Sequence, residues 1–470
     1  MFSATPTVLG FEKTSNLIHT PFWLDSPLRP SARPQIKGAQ KADLVIVGAG
    51  FTGLWASLEA RLRHPERTVV LIDSGRIAAG ATGRNGGFMS SSLTHGFSNG
   101  FGRWPDDIVE LEKLGVENLL EIEKRIAEFE IDCDFRLVGE LDVAMEPYQV
   151  KDLLKVHQEI TSLGLESIFL DSEQIQARVH SPQYLGARLD PHVAIVDPAR
   201  LAWGLAQAAE SIGVVIHENS QITDLLDEDS HVMVTTSHAT VEAKNVILAT
   251  GAFRPLLNRL THYIVPVYDY VLVTQPLTQS QLDAIGWNGR EGIGDTGNQF
   301  HYYRMTSDNR ILFGGYDANY HRNNGMGPEF DVDHESFARL ADHFEAVFPQ
   351  LGGVQFSHGW GGAIDTCSRF TAFWGKAHKG KTAYVAGYTG LGVGASRFGA
   401  LTCLDLLSGE ETVRTKLPMV TSRPIPFPPE PFRSAVIGLT KRSLQHADRN
   451  QGRRNIWLKT LDRLGLGFDS

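Results

Sequence analysis

Residues 43–57, DLVIVGAGFTGLWAS, decide the fold of this chain. An apolar run enters a glycine-rich turn, and leucines then recur at helical spacing (Leu54, Leu58 and Leu62), so the segment predicts a strand followed by a helix. A second apolar strand, RTVVLID, follows at 67–73. Strand, helix and strand within about 30 residues form a βαβ unit, which implies parallel strands and a right-handed crossover.

The turn in this unit has the spacing of a dinucleotide-binding site. Gly48 allows a tight turn, Gly50 lets the backbone approach a pyrophosphate, and Gly53 lets the helix pack closely on the strand. The helix N-terminus offers N–H groups and a favourable dipole to the phosphates. Asp73, about 20 residues further on, can accept hydrogen bonds from ribose hydroxyls. Its charge disfavours a 2′-phosphate, so the motif predicts FAD or NAD rather than NADP.

Three later segments favour FAD over NAD. NVILATGAF (245–253) ends a strand in Thr250 and Gly251, and YVAGYTGLGVGASRFG (384–399) begins a late helix after a second glycine-rich turn. An NAD dehydrogenase rarely returns two distant segments to its nucleotide domain. In IAAGATGRNGGF (77–88), the glycines predict a backbone that passes close beneath a bulky flat cofactor.

Composition excludes several other classes of protein. The 470 residues carry 44 Lys and Arg against 54 Asp and Glu, a net charge of −10 without long single-sign blocks, which argues against a nucleic-acid binder. Cys133, Cys367 and Cys403 are odd in number and far apart, so neither a disulfide framework nor a metal site is expected. No apolar run is long enough to span a membrane. We therefore expect a cytoplasmic protein.

The order of predicted elements indicates an α/β fold. A Rossmann-like FAD-binding domain is interleaved with a β-sheet-rich, α+β substrate domain. The predicted boundaries are 1–40 for an N-terminal arm, 41–105, 191–262 and 355–412 for the FAD-binding domain, 106–190 and 263–354 for the substrate domain, and 413–470 for a C-terminal helical extension.

Nearly the whole chain resembles, in order, the FAD-dependent oxidoreductases of the D-amino-acid oxidase, glycine oxidase and sarcosine oxidase superfamily. The matching segments are DLVIVGAGFTGLWAS, LIDSGRIAAGATGRNGG, GVVIHE, NVILATGAF, PVYDYVLVTQPL, YYRMTSDNRILFGGYD, GWGGAID and VAGYTGLGVGASRFG. FWLDSP (22–27) and ATGRNGG (81–87) look most like gamma-glutamylputrescine oxidase and related amine or aminophosphonate oxidases.

The resemblance implies which residues hold FAD. The first glycine turn and Asp73 would hold the ADP half, 81–87 would run along the pyrophosphate and isoalloxazine, and the 390–392 turn would lie near the flavin O2 edge. Arg84 and Asn85 become candidates for fixing the flavin or its pyrophosphate. The full expected set is Gly48, Gly50, Phe51, Thr52, Gly53, Asp73, Ser74, Ala81, Thr82, Gly83, Arg84, Asn85, Gly86, Gly87, Thr250, Gly251, Gly390, Leu391, Gly392 and Val393.

Two departures from the family pattern qualify this set. The segment GWGGA has no flavin-linking cysteine, and DTCSRF (365–370) places Cys367 and Ser368 where relatives commonly have proline and an acidic residue. We therefore expect non-covalent FAD, with Cys367 as a minor alternative anchor. Leu391 stands where many amine oxidases have histidine, so only its backbone can serve the flavin.

The resemblance also implies a reaction. Members of the family oxidise a C–N bond by hydride transfer to flavin N5, after which the imine hydrolyses and oxygen or another acceptor reoxidises the flavin. We expect a primary or secondary amine substrate, with or without a distal acid group such as a carboxylate or phosphonate. The alternatives are an α-amino acid with Arg304 as carboxylate clamp, or an inactive flavin-binding partner protein.

The substrate pocket is expected on the second β-rich region. Strand alternation puts Tyr270 opposite Asp269, and His301 opposite Tyr302 and Arg304. Arg304 could grip a substrate acid or form a surface ion pair. The pocket candidates are Tyr270, His301, Arg304 and Trp360.

Overall fold

The computed structural model describes residues 2–467 and confirms the α/β fold class. The helices, α1 to α14 in chain order, are Val8–Lys13, Phe51–Arg63, Phe97–Arg103, Ile108–Glu128, Pro147–Ser162, Ser172–Arg178, Pro198–Ser211, Gln279–Ile285, His334–Val347, Gly392–Ser408, Val413–Lys416, Pro418–Thr421, Phe432–Arg449 and Ile456–Arg463. The strands, β1 to β20, are Gly38–Val47, Val69–Ile72, Phe88–Ser90, Arg136–Leu137, Glu140–Ala144, Ile168–Leu170, Gly186–Asp190, Val193–Ile195, Val215–His217, Ile222–Asp227, Val232–Thr236, Ala239–Leu248, Val265–Thr274, Gly292–Asp295, His301–Met305, Ile311–Gly315, Asn319–Tyr320, Phe356–Thr366, Phe373–Ala377 and Thr382–Ala386.

An eight-stranded sheet is built around the predicted βαβ unit. Its main path is β10-β11-β12-β1-β2-β9, and β20 joins it beside β12 with β19 at its edge. The pairs β1–β2, β1–β12, β2–β9 and β12–β20 are parallel. The carboxyl ends of these strands therefore lie along one edge of the sheet, where ligands of open α/β sheets bind.

Helix α2 packs closely on β1 because of Gly53. A Cβ at this position would lie 1.8 Å from the Gly48 carbonyl oxygen and 3.3 Å from Ile46 Cγ2. Every residue from Phe51 to Ala60 is buried, with α7 and α10 packed against the same helix. The third glycine of the motif therefore serves helix–strand packing, as the sequence predicts.

A nine-stranded sheet forms the other large layer, with the path β17-β13-β16-β15-β14-β5-β7-β6 and with β18 paired to β13. Strand β18, which the sequence analysis assigned to the FAD-binding domain, belongs to this sheet instead. It pairs antiparallel with β13 along Val265–Thr274. Helix α9 packs against β13 and β16. A small sheet, β3-β8-β4, completes the β structure of residues 2–467.

The N-terminal arm is more ordered than an extended surface segment. It forms α1, which packs on α9, and buries Trp23 and Leu24. The indole N–H of Trp23 donates to the Asn85 carbonyl oxygen at 2.8 Å. Within residues 2–467, no helix combines the length and apolar character needed to cross a membrane.

The substitution Gly53→Ala tests the close approach of α2 to β1. Its methyl group must displace the Gly48 carbonyl, so we expect a loss of about 1–3 kcal/mol or more in the free energy of unfolding. Gly438→Ala, in α13, is the matched control because a Cβ there meets nothing within 4 Å. Gly438→Ala should leave the free energy of unfolding unchanged or raise it by up to about 1 kcal/mol. Urea unfolding midpoints measure both, and equal midpoints for Gly53→Ala and wild type would contradict the expectation.

Candidate active site

A cavity of about 1680 Å³ runs along the carboxyl edge of the eight-stranded sheet and over one face of the nine-stranded sheet. Sites for drug-sized ligands occupy roughly 300–1,000 Å³, so this cavity has room for a dinucleotide together with a substrate. It is lined at one end by the first glycine turn and Asp73, and near its middle by the turn 389–393.

Asp73 is placed as a nucleotide-binding carboxylate should be. One carboxyl oxygen accepts the Ala49 N–H at 2.5 Å and the other accepts the Gly75 N–H at 2.7 Å. Burial raises the pKa of Asp73, while these two hydrogen bonds act in the opposite direction. Each oxygen keeps a further lone pair that a ribose hydroxyl can use.

Two helix N-termini open onto the cavity; neither N-cap residue supplies a side-chain cap, and in α2 the Phe51 N–H donates to Thr82 Oγ1 at 3.1 Å. Helix α2 has Gly50 as its N-cap residue, and α10 has Leu391. Uncapped first-turn N–H groups attract negative charge, as do the helix dipoles. Gly390 has φ +97, and nothing lies within 4 Å of the Cβ that a side chain would add there. The residues present therefore fit FAD, and the assignment of one terminus to the pyrophosphate and the other to the flavin stays a prediction.

Asp365 fixes the turn before α10, and sequence reasoning did not single it out. Its carboxylate accepts the N–H groups of Gly387 at 2.7 Å and Tyr388 at 3.3 Å. Burial raises its pKa to about 6, opposed by these N–H groups. In the sequence, Asp365 is marked only by its position at the end of the segment GWGGAID.

The glycines of 83–87 make room for protein rather than for the cofactor. A Cβ at Gly83 would lie 2.3 Å from the Ala78 carbonyl, and one at Gly87 (φ +78) would lie 2.2 Å from the Val196 carbonyl. A Cβ at Gly86 would lie 2.7 Å from the Tyr302 ring. The expectation that cofactor clearance explains these glycines is corrected accordingly.

Arg84 and Asn85 have partners within the protein. The Arg84 guanidinium donates to the carbonyl oxygens of Ala79 and Gly361 and forms an ion pair with Asp331 at 2.8 Å. The Asn85 amide group bonds to backbone atoms of its own loop. Both residues line the cavity, so their contact with a flavin or pyrophosphate stays a prediction while their structural role is visible.

Most of the expected FAD set lines the cavity. The exceptions are Gly53, Gly83 and Gly87, which pack against protein. The residues on the cavity wall are Gly48, Gly50, Phe51, Thr52, Asp73, Ser74, Ala81, Thr82, Arg84, Asn85, Gly86, Thr250, Gly251, Gly390, Leu391, Gly392 and Val393. All three cysteines are buried and none belongs to the wall, so non-covalent binding of FAD stays the prediction.

Two of the four substrate-pocket candidates, Tyr270 and His301, project from the face of the nine-stranded sheet opposite the cavity. The Tyr270 hydroxyl donates to the Phe330 carbonyl at 3.1 Å. His301 lies between Asp295, at 2.6 Å, and His343, at 2.8 Å. Neither side chain belongs to the cavity wall, so both assignments are corrected.

Arg304 and Trp360 lie on the cavity side but beneath the loop 84–88. The Arg304 side chain is 1% exposed, donates to the Val196 carbonyl and stacks over the Trp23 ring at 5.3 Å. The Trp360 indole N–H donates to the Arg84 carbonyl at 2.9 Å. Neither reaches the cavity, so a carboxylate clamp at Arg304 is ruled out by this arrangement.

The hydrogen bonds around His301 show which of its ring nitrogens carry a proton. The Ser3 carbonyl can only accept, so His343 donates to it from Nε2 and, when neutral, accepts from His301 at Nδ1. His301 therefore donates from Nε2 and shares a proton with Asp295 at Nδ1. Burial lowers the pKa of His343 to about 3, which agrees with a neutral ring.

The cavity face of the nine-stranded sheet carries a row that sequence reasoning missed. Arg188, Asp142, Gly294, Tyr302 and Gly314 are paired in register across β7, β5, β14, β15 and β16. Residues paired in this way project to the same face. Arg188 forms an ion pair with Asp142, and the Tyr302 ring lies over Gly314.

Asp269 lies beside this row. Its Oδ2 accepts the Tyr302 hydroxyl at 2.7 Å, and its Oδ1 accepts the Tyr270 N–H at 2.7 Å. Burial raises the pKa of Asp269 to about 6, and the Tyr302 hydrogen bond opposes this shift. Alternation had grouped the strand faces correctly, but it could not tell which face turns toward the cofactor.

Comparison with known proteins agrees with this geometry. Residues 43–403 match the protein family described as FAD dependent oxidoreductase. Gamma-glutamylputrescine oxidoreductase of Escherichia coli is 30% identical over 378 residues, covering 78% of this chain and 84% of that protein. The probable oxidoreductase OrdL of Haemophilus influenzae is 27% identical over 402 residues, covering 83% and 88%. The crystal structure of glycine oxidase from Geobacillus kaustophilus has a TM-score of 0.69 at 19% identity, covering 82% of this chain and 100% of that chain.

The ion pair between Arg84 and Asp331 tests how the loop 81–87 is held. Asp331→Asn should weaken FAD binding about two- to fivefold, because a partly exposed pair contributes up to about 1 kcal/mol. Arg84→Ala should weaken it further, since donations to two carbonyl groups are also lost. The double variant should be no worse than Arg84→Ala.

Quenching of free FAD fluorescence on binding measures these affinities. Asp308→Asn, which breaks the pair with Arg310 outside the cavity, is the control and should not change them. If Asp331→Asn has no effect on FAD affinity while Arg84→Ala weakens it, the ion pair does not hold the loop and that part of the structural account is wrong.

Proposed function

This chain belongs to the family of FAD-dependent oxidoreductases, and from that premise we propose that it oxidises the C–N bond of a primary or secondary amine. One observation carries the choice of an amine. The substrate face of the cavity presents carboxyl groups, Asp269 foremost, while Arg188 is already paired with Asp142 and Arg84 with Asp331. A substrate cation is attracted by such a wall. The printed name of the Escherichia coli relative, gamma-glutamylputrescine oxidoreductase, supports the same choice.

Bound FAD supplies the acceptor for a hydride from the carbon next to the amine nitrogen. The N-terminal turn of α10 and the turn 389–393 would hold the flavin, and α2 would hold the pyrophosphate. Both helix termini direct positive dipole ends at the cavity, where they stabilise negative charge that develops there. No covalent bond to a protein side chain is required.

Asp269 is the residue suited to prepare the substrate. Hydride loss needs a neutral amine, and amines reach the site largely as ammonium ions. The Asp269 carboxylate attracts the ammonium and accepts its proton, while the Tyr302 hydroxyl, bonded to Oδ2, holds that carboxylate in its ionised form. Loss of the hydride leaves an iminium ion, and water hydrolyses it to an aldehyde or ketone and a new amine or ammonia. Dioxygen is the proposed final acceptor.

An α-amino acid substrate is less well supported. Its carboxylate would need a free cation near the reacting carbon, and Arg304, the expected clamp, lies beneath Gly87 with the Val196 carbonyl as its partner. The expected distal acid group also lacks a free cation on the sheet face, because Arg188 is engaged by Asp142.

Anaerobic mixing of the yellow protein with amines tests the function. A primary or secondary amine should bleach the flavin absorbance, and admission of oxygen should restore it with release of hydrogen peroxide. Bleaching by α-amino acids alone would replace the amine proposal with the amino-acid alternative. If neither class bleaches the flavin across a broad panel, the chain is not an oxidase of this type.

The substitution Tyr302→Phe tests the role of Asp269. Without the hydroxyl, the pKa of Asp269 should rise from about 6 by roughly one unit, the equivalent of about 1.4 kcal/mol. Because the ionised carboxylate is the active form, kcat/KM should fall as the pH drops through that pKa. The acid limb of the profile should therefore move to higher pH in the variant.

Tyr303→Phe is the matched control. The Tyr303 hydroxyl bonds to the Tyr184 hydroxyl at 2.7 Å on the opposite face of the sheet. The acid limb of the kcat/KM profile of Tyr303→Phe should therefore stay at the wild-type position. If Tyr302→Phe lowers kcat/KM equally at every pH, the tyrosine acts on packing and Asp269 is not the proton acceptor.

A further inference from the structure

The cavity extends beyond Tyr302 into a compartment with an excess of acidic groups, here called the acid chamber. It is formed by Glu140 and Asp142 of β5, Arg188 and Asp190 of β7, and Glu112 of α4. Glu140 is paired in register with Asp190, and Asp142 with Arg188, so these four side chains share the cavity face. Four carboxyl groups thus surround one guanidinium.

Glu140 is one of two chamber carboxyl groups without a partner within residues 2–467, and Glu112 is the other. Asp142 forms its ion pair with Arg188, whereas the Glu140 carboxyl has no hydrogen bond or ion pair within residues 2–467. Ionising an unpaired carboxyl group in an enclosed site costs free energy, so the group keeps its proton until a cation compensates the charge. A bound cation would remove this cost. The unpaired Glu140 carboxyl group therefore points to a cation as its missing partner.

The passage from Tyr302 to the chamber is kept open by glycine. Asp142 lies two strands away from Tyr302, about 10 Å along the sheet at the usual strand spacing. The strand between them, β14, contributes Gly294 at that point. A Cβ on Gly294 would lie 3.4 Å from Glu140 Oε1 and 4.0 Å from Asp142 Oδ1, so any larger side chain would fill the passage.

We propose that the acid chamber binds a second ammonium group of the substrate, so that the enzyme prefers diamines or polyamines to monoamines. This inference rests on the proposed amine oxidation. Glu140 supplies a carboxyl group that ionises when the ammonium binds, and Asp142 and Asp190 add negative charge from the neighbouring register positions. A distal carboxylate or phosphonate would instead be repelled by the chamber.

The raised pKa values of Glu140 and Glu112 agree with a site that binds a cation. Burial and the neighbouring Asp142 and Asp190 raise the pKa of Glu140 to about 8, and Arg188 opposes this shift. Burial likewise raises the pKa of Glu112 to about 7. Lys113, Glu117, Glu166 and His192 also line the cavity. A bound ammonium would favour the ionised forms and release protons.

The first experiment compares substrates of equal length in wild type and Glu140→Gln. The probes are α,ω-diamines that bracket the 10 Å passage, the n-alkylamines of the same length, and the corresponding ω-amino carboxylates. Wild type should oxidise a diamine with a kcat/KM at least about tenfold above that of its monoamine, since a charge-assisted contact is lost in the latter. Glu140→Gln should remove most of that preference, because it should lower kcat/KM far more for the diamine than for the monoamine.

Glu173→Gln is the matched control, because it makes the same charge change at an exposed position of α6. It should keep the preference for diamines. Equal kcat/KM for diamines and monoamines in wild type, or a preference for the ω-amino carboxylates, would overturn the proposal. So would a loss in Glu140→Gln that is the same for every amine.

The second experiment does not depend on turnover. Because the pKa of Glu140 is raised in the folded protein, its contribution to stability is present below the ordinary glutamate pKa and is lost as the pH rises toward 8. Glu140→Gln should therefore melt at the wild-type temperature near pH 4.5 and above it near pH 8. A diamine should raise the melting temperature of wild type and Glu173→Gln but not of Glu140→Gln.

These outcomes separate the two proposals. If no amine bleaches the flavin yet diamines stabilise wild type through Glu140, the chamber is a cation site and the proposed function has failed. If amines bleach the flavin while diamines stabilise wild type and Glu140→Gln equally, amine oxidation stands and the chamber assignment is wrong.

Discussion

Parallel pairing of β1 with β2 and β12, and of β12 with β20, is the constraint on which the rest of the molecule depends. It brings segments far apart in the chain to one edge of one sheet. Two helices that follow these strands, α2 and α10, then begin at the same cavity, and neither N-cap residue supplies a side-chain cap. Their paired dipoles create the electrostatic environment that an anionic dinucleotide and a reducible ring require.

The nucleotide half of the site could be predicted because its signals are local. The turn Gly48–Gly53, the strand before it and Asp73 lie within one βαβ unit, where spacing alone fixes the geometry. The substrate half depends on tertiary structure. Period-two alternation separates Tyr270 from Asp269, yet it cannot show which face of the sheet meets the cofactor. In the structure, the face that holds Tyr270 and His301 packs into the core. Only the pairing of β13 with β18 and the loop above β15 settle that choice.

The loop 81–87 connects the two large sheets and also lines the cofactor cavity. Arg84 is tied to Asp331 and Gly361, while Trp360 and Trp23 donate to the backbone of the same loop. Its glycines admit neighbouring protein at distances that no side chain would allow. The loop is therefore fixed by contacts with the N-terminal arm and with β18.

Two kinds of carboxyl group on one sheet face imply a division of tasks. Asp269 is held by the Tyr302 hydroxyl and a backbone N–H, so its charge is stabilised before any substrate arrives. Glu140 has no such support and stands among other carboxyl groups. A protein selected for stability alone would neutralise Glu140 with a nearby donor or replace it by an apolar residue. Its retention in an open passage is understandable if the substrate itself supplies the compensating charge, since the cost in stability is then recovered as binding free energy.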